Sequence, residues 1–292
     1  MESNFEEISF NITREESFIK KFPEYEKNHT FKLNLENIKE YIFSRTIKEA
    51  YLETCKDIFD KDANFVNEEN IELALNEIYE KIIKKNMKIV KLEKRHFGMT
   101  IYSKKIFISN SFISNIKNST MLEMSVTFLA GLLKTILREI MHCLTNYLPS
   151  LSTDYKELSN PFIRTFKKNI KIYNYVIGKS ECKDEKNVLE ILQNNIENYQ
   201  LILDSGIHFE SKLFENNNKM NYFNSGYFLN VKNLNQPLKD FKAKMKDFEA
   251  EIDESCKFQK LRDKTSVIFQ NFNNSFYFGK CLHDPRRPFF MN

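Results

Sequence analysis

The chain has 292 residues, of which 41% are hydrophobic and 29% are charged, and its formal net charge at pH 7 is +4. This composition is typical of a folded globular protein and excludes a chain that is disordered throughout. The mildly positive charge permits an anionic partner but is smaller than that of dedicated nucleic-acid-binding domains. Only 6 Gly and 6 Pro are present, which favours long helices joined by few tight turns.

The cysteines and the first residues indicate where the protein works. Five cysteines are an odd number, and none forms a C-x-x-C pair, so we expect a reducing, cytoplasmic environment. The N-terminal sequence MESNFEEISF lacks the basic and then apolar pattern of a secretory signal. No apolar run reaches the roughly 18–20 residues that span a bilayer, so we expect no membrane segment.

The N-terminal third is predicted to be helical after an irregular start. The first 30 residues are charged and weakly patterned, and we predict an arm there. Residues 35–59 place apolar side chains three and four positions apart, which predicts one or two helices. Residues 67–85 predict another helix, with Asn67 as its N-cap and two acids in its first turn. We assign residues 1–87 to an N-terminal arm and helical region.

The pattern changes at residue 88, where alternating β-branched residues predict two or three short strands with a turn around Phe97-Gly98. A long helix is predicted from about Leu122 to Tyr147, and another helix over residues 187–203. We assign residues 88–232 to the core, and residues 233–292 to a helix with heptad-spaced apolar residues and an aromatic, basic tail, packed on the core. The predicted fold class is α+β and mostly helical, with a small sheet next to the long helix.

The long helix carries the sequence LLKTILREIMHCLTNYL (132–148), which contains Arg138-Glu139-x-x-His142. This motif differs at one position from H-E-x-x-H. There, two His residues four apart on one helix face bind Zn²⁺, and the Glu acts as general base on the bound water. An Arg stays protonated and has no lone pair to donate, so Arg138 cannot ligate zinc.

The order of elements around the motif resembles HExxH zinc peptidases (zincins), and the gluzincins in particular. A strand segment (GMTIYSKKIFISNSFI) precedes the motif helix, and two acids in LILDSGIHFESKLF come after a later predicted helix. The resemblance covers about residues 98–215. It implies that Glu139 matches the general base, that His142 matches the second ligand, and that Asp204 or Glu210 matches the carboxylate third ligand. Because Arg138 replaces the first ligand, it implies a vestigial site without zinc.

Two interpretations of Arg138 remain open. Its guanidinium could replace the charge of the metal by forming hydrogen bonds to Glu139 or to the downstream acid. Alternatively, Lys134, Arg138 and His142 fall at i, i+4 and i+8 and form a plain polar stripe on a solvated helix face, with no site at all.

His208 and Cys143 are further candidate site residues. His208 lies four residues after Asp204, and with His142 these would form a two-His-one-carboxylate set. Gly206 between Asp204 and His208 weakens the helix prediction, and an exposed His at a helix end is the favoured explanation of His208. Cys143 follows His142, but adjacent helical residues point apart, which argues against a Cys–His nucleophile pair.

The C-terminal tail offers charge and aromatic anchors. They could place Arg on phosphate and Phe on nucleic-acid bases or in a partner groove, or the Phe pair could pack on its own domain. These candidate partner-binding residues are Arg286, Arg287, Phe289 and Phe290.

We therefore predict a catalytically inactive metallopeptidase-like domain that serves as a binding or structural module. The alternative is a basic factor that binds RNA or the ribosome through its tail. A third possibility is an active zinc hydrolase with non-standard ligands. We expect a protein or ribonucleoprotein partner, and neither a cofactor nor a small-molecule substrate.

Overall fold

The structure is a computed structural model that describes residues 3–59, 63–92, 97–101, 103–151, 205–214 and 222–254. It confirms a mostly helical α+β protein. The helices are α1 (Glu16–Lys21), α2 (Leu35–Phe43), α3 (Arg45–Ile58), α4 (Glu68–Ile78), α5 (Lys84–Asn86), α6 (Ser111–Asn118), α7 (Leu122–Tyr147), α8 (Ser205–Phe214), α9 (Tyr222–Phe228), α10 (Val231–Leu234) and α11 (Leu238–Glu254). The strands are β1 (Ser3–Asn4), β2 (Ile8–Thr13), β3 (Asn28–Leu33), β4 (Met87–Val90), β5 (Gly98–Ile101) and β6 (Lys105–Ser109).

Four of the strands form one small sheet in the order β1-β4-β6-β5. Strands β4 and β6 run parallel, and β5 is an edge strand that runs antiparallel to β6. The two or three short strands predicted after residue 87 are confirmed as three, β4, β5 and β6. The turn predicted at Phe97-Gly98 is wrong because Gly98 begins β5. The reversal between β5 and β6 includes Ser103, whose φ of 51° lies in the left-handed region.

Gly98 is required by packing. A Cβ built on Gly98 would lie 2.7 Å from Glu139 Oε1 and 2.7 Å from Thr135 Cγ2. Strand β5 therefore approaches α7 more closely than any residue with a side chain would allow at this position.

The N-terminal arm predicted for the first 30 residues is also wrong. Strands β2 and β3 pair antiparallel, from Ile8 opposite Leu33 to Thr13 opposite Asn28. Helix α1 lies between them in the chain. The outward positions of β2 are polar, and its inward positions face a cluster of buried aromatic side chains. Charged residues before β2 and between the two strands concealed this alternating strand pattern.

A buried arginine joins this N-terminal hairpin to the C-terminal helices. The guanidinium carbon of Arg14 lies 5.0 Å from the ring centroid of Phe18 and 4.8 Å from that of Tyr25. Arg14 Nη2 also donates to the carbonyl oxygen of Gly226 on α9, at 3.4 Å. These contacts anchor the hairpin on α9, because a desolvated guanidinium is strongly attracted to ring faces and to a carbonyl oxygen.

Helix α7, of 26 residues, is the centre of the fold. Every residue from Val126 to Leu144 is buried, polar residues included. Helices α4, α6, α8 and α9 and strand β5 all contact it. A helix that is buried on all sides needs partners for each polar side chain it carries.

The predicted N-cap of α4 is confirmed, since the Asn67 side chain accepts from the Asn70 backbone N–H at 2.9 Å. After Ile78 the chain continues as a π-helix over Tyr79–Ile83. The helix predicted near the C-terminus is confirmed as α11, with Leu238, Phe241 and Met245 buried against the core.

One hydrophobic core includes residues from Ile12 to Met245 and so draws on all three regions assigned from the sequence. The boundary placed between residues 87 and 88 falls inside β4, and the domain boundaries stay a prediction. The helix predicted over residues 187–203 and the C-terminal tail lie outside the described residues. Among the helices that the structure describes, none combines the length and the apolar character needed to cross a bilayer.

Candidate functional site

The motif residues and two further charged side chains form a buried group on the surfaces of α7 that α8 and strand β5 cover. We call this group the charge cluster, and its members are between 1% and 8% exposed. They are Lys134, Arg138, Glu139 and His142 on α7 and Glu210 on α8. The interpretation of Lys134, Arg138 and His142 as a solvated polar stripe is therefore wrong. Helix α8 packs over this face of α7 and removes it from water.

Glu210 lies between two cations of α7. Its Oε2 is 3.1 Å from Lys134 Nζ, and its Oε1 is 3.9 Å from Arg138 Nη1. The Lys134 ammonium also lies 5.6 Å from the ring centroid of Phe214, one turn further along α8. A buried carboxylate needs such partners, because desolvation of an uncompensated charge costs several kcal/mol, about 3–5 when a partner is removed.

Glu139 faces the sheet. The hydroxyl of Thr100 on β5 donates to Glu139 Oε2 at 2.6 Å and also lies 3.2 Å from the Glu139 carbonyl oxygen. The edge strand and the motif helix are thus joined through the residue that matches a general base. Arg138 lies within ion-pair distance of Glu210, one of the two downstream acids proposed as its partner. The other, Asp204, lies outside the described residues.

His142 is held by the start of α8. Its Nδ1 lies 3.0 Å from the hydroxyl oxygen of Ser205, in a fully buried contact. A Cβ built on Gly206 would lie within 3.0 Å of Arg138 Cγ and 3.0 Å from His142 Nε2. Gly206 lies in α8, so a helix forms here although the glycine weakened that prediction. Because glycine has no Cβ, α8 can approach α7 this closely.

His208 belongs to a different contact. Its Nε2 lies 2.8 Å from Asp57 Oδ2 on α3, and Lys212 Nζ lies 2.6 Å from the same oxygen. Burial raises the pKa of Asp57, but hydrogen bonds from Lys212 and His208 outweigh it, and the net effect lowers this pKa. His208 thus faces α3 while His142 faces Ser205, and Asp204 lies outside the described residues. The two-His-one-carboxylate set is not assembled by the described residues.

The described members of the charge cluster do not fit a divalent metal ion. Within the described ranges, no three His, Cys, Asp or Glu side chains converge in a group that could hold one. Arg138 has no lone pair to donate to a metal. Lys134 and Arg138 both lie beside the Glu210 carboxylate.

The thiol beside the motif is not placed for chemistry. Cys143 is fully buried, and burial together with the Glu139 carboxylate raises the pKa of its thiol well above the usual range. Burial also raises the pKa of Cys55 on α3. A buried thiol with a raised pKa is a poor nucleophile.

Sequence reasoning missed Lys134 as a site residue, and it missed Ser205 and Thr100 entirely. For Lys134 a signal existed, since it lies one helical turn before Arg138 on the same face. No sequence signal marks Ser205 or Thr100 as a partner of His142 or Glu139. The predicted tail residues Arg286, Arg287, Phe289 and Phe290 lie outside the described residues.

No family model matches this chain, and the comparisons with curated proteins and with solved structures return no match. The class that the fold defines is a mostly helical α+β protein with a buried charge cluster on its central helix.

Proposed function

We propose that the protein is a catalytically inactive, gluzincin-like metallopeptidase domain that serves as a binding or structural module. The observation that carries this proposal is the pairing of Glu210 with Lys134 and Arg138 beside Glu139 and His142. The residues that match the base and the second ligand lie on the same buried stretch of α7, and two cations of that helix lie beside the downstream acid Glu210.

The geometry around the motif supports the resemblance. An antiparallel edge strand, β5, lies against the motif helix and contacts the residue that matches the general base. A later helix, α8, brings a carboxylate to the position of the missing first ligand. The order of strand, motif helix and acid-bearing helix is the order that the sequence resemblance implies.

The environment of Glu139 supports the absence of catalysis. A general base must reach the proton that it abstracts, directly or through one water. Glu139 is 1% exposed and accepts a hydrogen bond from Thr100. A site closed in this way stabilises the fold, and a binding function would use other surfaces of the domain.

A protein or ribonucleoprotein partner is part of this proposal. The alternative, a factor that binds RNA or the ribosome through its tail, depends on residues outside the described ranges and stays a prediction. The third possibility, an active hydrolase, requires ligands from outside the charge cluster, since its own donors do not fit a metal.

Thermal unfolding with and without zinc tests the proposal. We expect the Tm of the untagged protein to be the same in zinc, in buffer and in a zinc chelator, because the described residues of the charge cluster form no ligand set that would bind the metal in the native state. We also expect no hydrolysis of a mixed peptide library above the buffer rate. A Tm increase with zinc that the chelator reverses would contradict the proposal. So would hydrolysis that Glu139→Gln abolishes.

A further inference from the structure

We infer that Lys134 is the principal replacement for a metal ion at this interface, with Arg138 in a supporting role. The sequence motif points only to Arg138, which stands at the lost ligand position. The structure points to the residue one turn earlier. The metal-replacement part of this inference rests on the proposed function, whereas the Lys134–Glu210 pair does not.

The two cations differ in their distance to the Glu210 carboxylate. Lys134 Nζ is 3.1 Å from Glu210 Oε2, within the range of a charged hydrogen bond. Arg138 Nη1 is 3.9 Å from the other carboxylate oxygen, at the outer limit of an ion pair. The shorter contact belongs to Lys134, so the larger share of the compensation of Glu210 belongs to the ammonium.

Helix α8 presents a site shaped for one ammonium group. Glu210 and Phe214 are four residues apart on α8, and both contact the Lys134 ammonium. The carboxylate supplies opposite charge, and the ring face supplies a second attraction that does not need water. Both partners and Lys134 itself are buried, so this arrangement is not a chance surface contact.

Two cations of α7 lie beside one carboxylate of α8. Lys134 and Arg138 bring two basic side chains to Glu210 at the α7–α8 interface. A divalent ion in the same interface would bring the same positive charge through one atom. Lys134 pairs with Glu210, the carboxylate that would be the third metal ligand. A histidine introduced at position 138 alone would therefore leave Glu210 paired with a competing cation.

The inference therefore predicts a metal site that depends on two substitutions. Zinc binding is measured by equilibrium dialysis on the full chain for Arg138→His, Lys134→Met and the double variant K134M/R138H. We expect the double variant to bind about one zinc per chain, at least tenfold more tightly than Arg138→His, and Lys134→Met to bind none. Equal affinity of Arg138→His and the double variant would overturn the inference, since Lys134 would then not restrict Glu210.

A double-mutant cycle measured by thermal unfolding tests the Lys134–Glu210 pair independently of the proposed function. Lys134→Met and Glu210→Gln are each expected to lower the Tm by about 10 °C, and the double variant K134M/E210Q by less than the sum. Lys134→Arg keeps the charge and is expected to fold. The matched control is Lys48→Met, which breaks an exposed pair with Glu72 at 3.0 Å and is expected to shift the Tm by at most about 2 °C.

Additive losses at Lys134 and Glu210 would overturn the pair itself. Decreases in Tm that are not additive would support the Lys134–Glu210 pair. If K134M/R138H then bound no zinc, the inference that Lys134 replaces a metal ion would be overturned. That result would also contradict the gluzincin-like arrangement of the proposed function.

Discussion

Replacing Arg138 with Ala is expected to lower the free energy of unfolding by about 3 kcal/mol. The substitution removes one of the two cations that lie beside the buried Glu210 carboxylate. It also removes the side chain that packs against Gly206, which leaves a cavity at the α7–α8 interface. Chemical denaturation of both proteins at pH 7 measures the difference.

Two variants make this result specific. Arg45→Ala removes an exposed arginine whose Nε lies 2.8 Å from Glu49, and it is expected to cost about 0.5 kcal/mol or less. Arg138→Lys keeps the charge and is expected to recover part of the loss. If Arg138→Ala unfolds at the same denaturant concentration as the parent protein, the charge of Arg138 is not needed and the replacement of metal charge is wrong.

Gly206→Ala is expected to destabilise the protein by about 2 kcal/mol, although alanine favours helices more than glycine does. The added methyl group would lie within 3.0 Å of Arg138 Cγ, which is close to the helix backbone and cannot move freely. Helix α8 would have to separate from α7, and the contacts of Glu210 with Lys134 and of Ser205 with His142 would lengthen. Thermal and chemical unfolding both report the loss.

Gly226→Ala is the matched control, because Gly226 also lies in a helix but a Cβ there meets no atom within 4 Å. It is expected to raise the free energy of unfolding by up to about 1 kcal/mol through helix propensity alone. The two substitutions are chemically identical, but we expect them to change the free energy of unfolding in opposite directions. Equal effects at both positions would show that α7 and α8 are not as close as the structure places them.

The sequence predicts those elements whose signals are local. Helices α4, α7 and α11 follow from the spacing of apolar residues, and the Asn67 cap follows from residue type. The hairpin of β2 and β3 does not, because its aromatic core is completed by Tyr227, nearly 200 residues later. Charged residues near the hairpin hid the alternation that its strands do contain.

In the candidate site too, the sequence predicts the residues that have a local signal and not the contacts between distant segments. The motif identified Arg138, Glu139 and His142, and it offered Glu210 as one of two downstream acids. It could not show that α8 covers the face carrying Lys134, because a lysine on an amphipathic helix is equally compatible with solvent. Burial of that face depends on a helix about 70 residues away in the chain, and neither composition nor periodicity encodes such a contact.

The most direct test of the central claim is the metal content of the protein, measured by elemental mass spectrometry after purification without a metal-affinity tag. If Lys134 and Arg138 replace a metal ion, the content of zinc and other transition metals should be far below one atom per chain. Near-stoichiometric zinc that persists through dialysis would contradict the account. His142 would then have ligands other than those of the charge cluster, and the hydrolase possibility would replace the inactive domain.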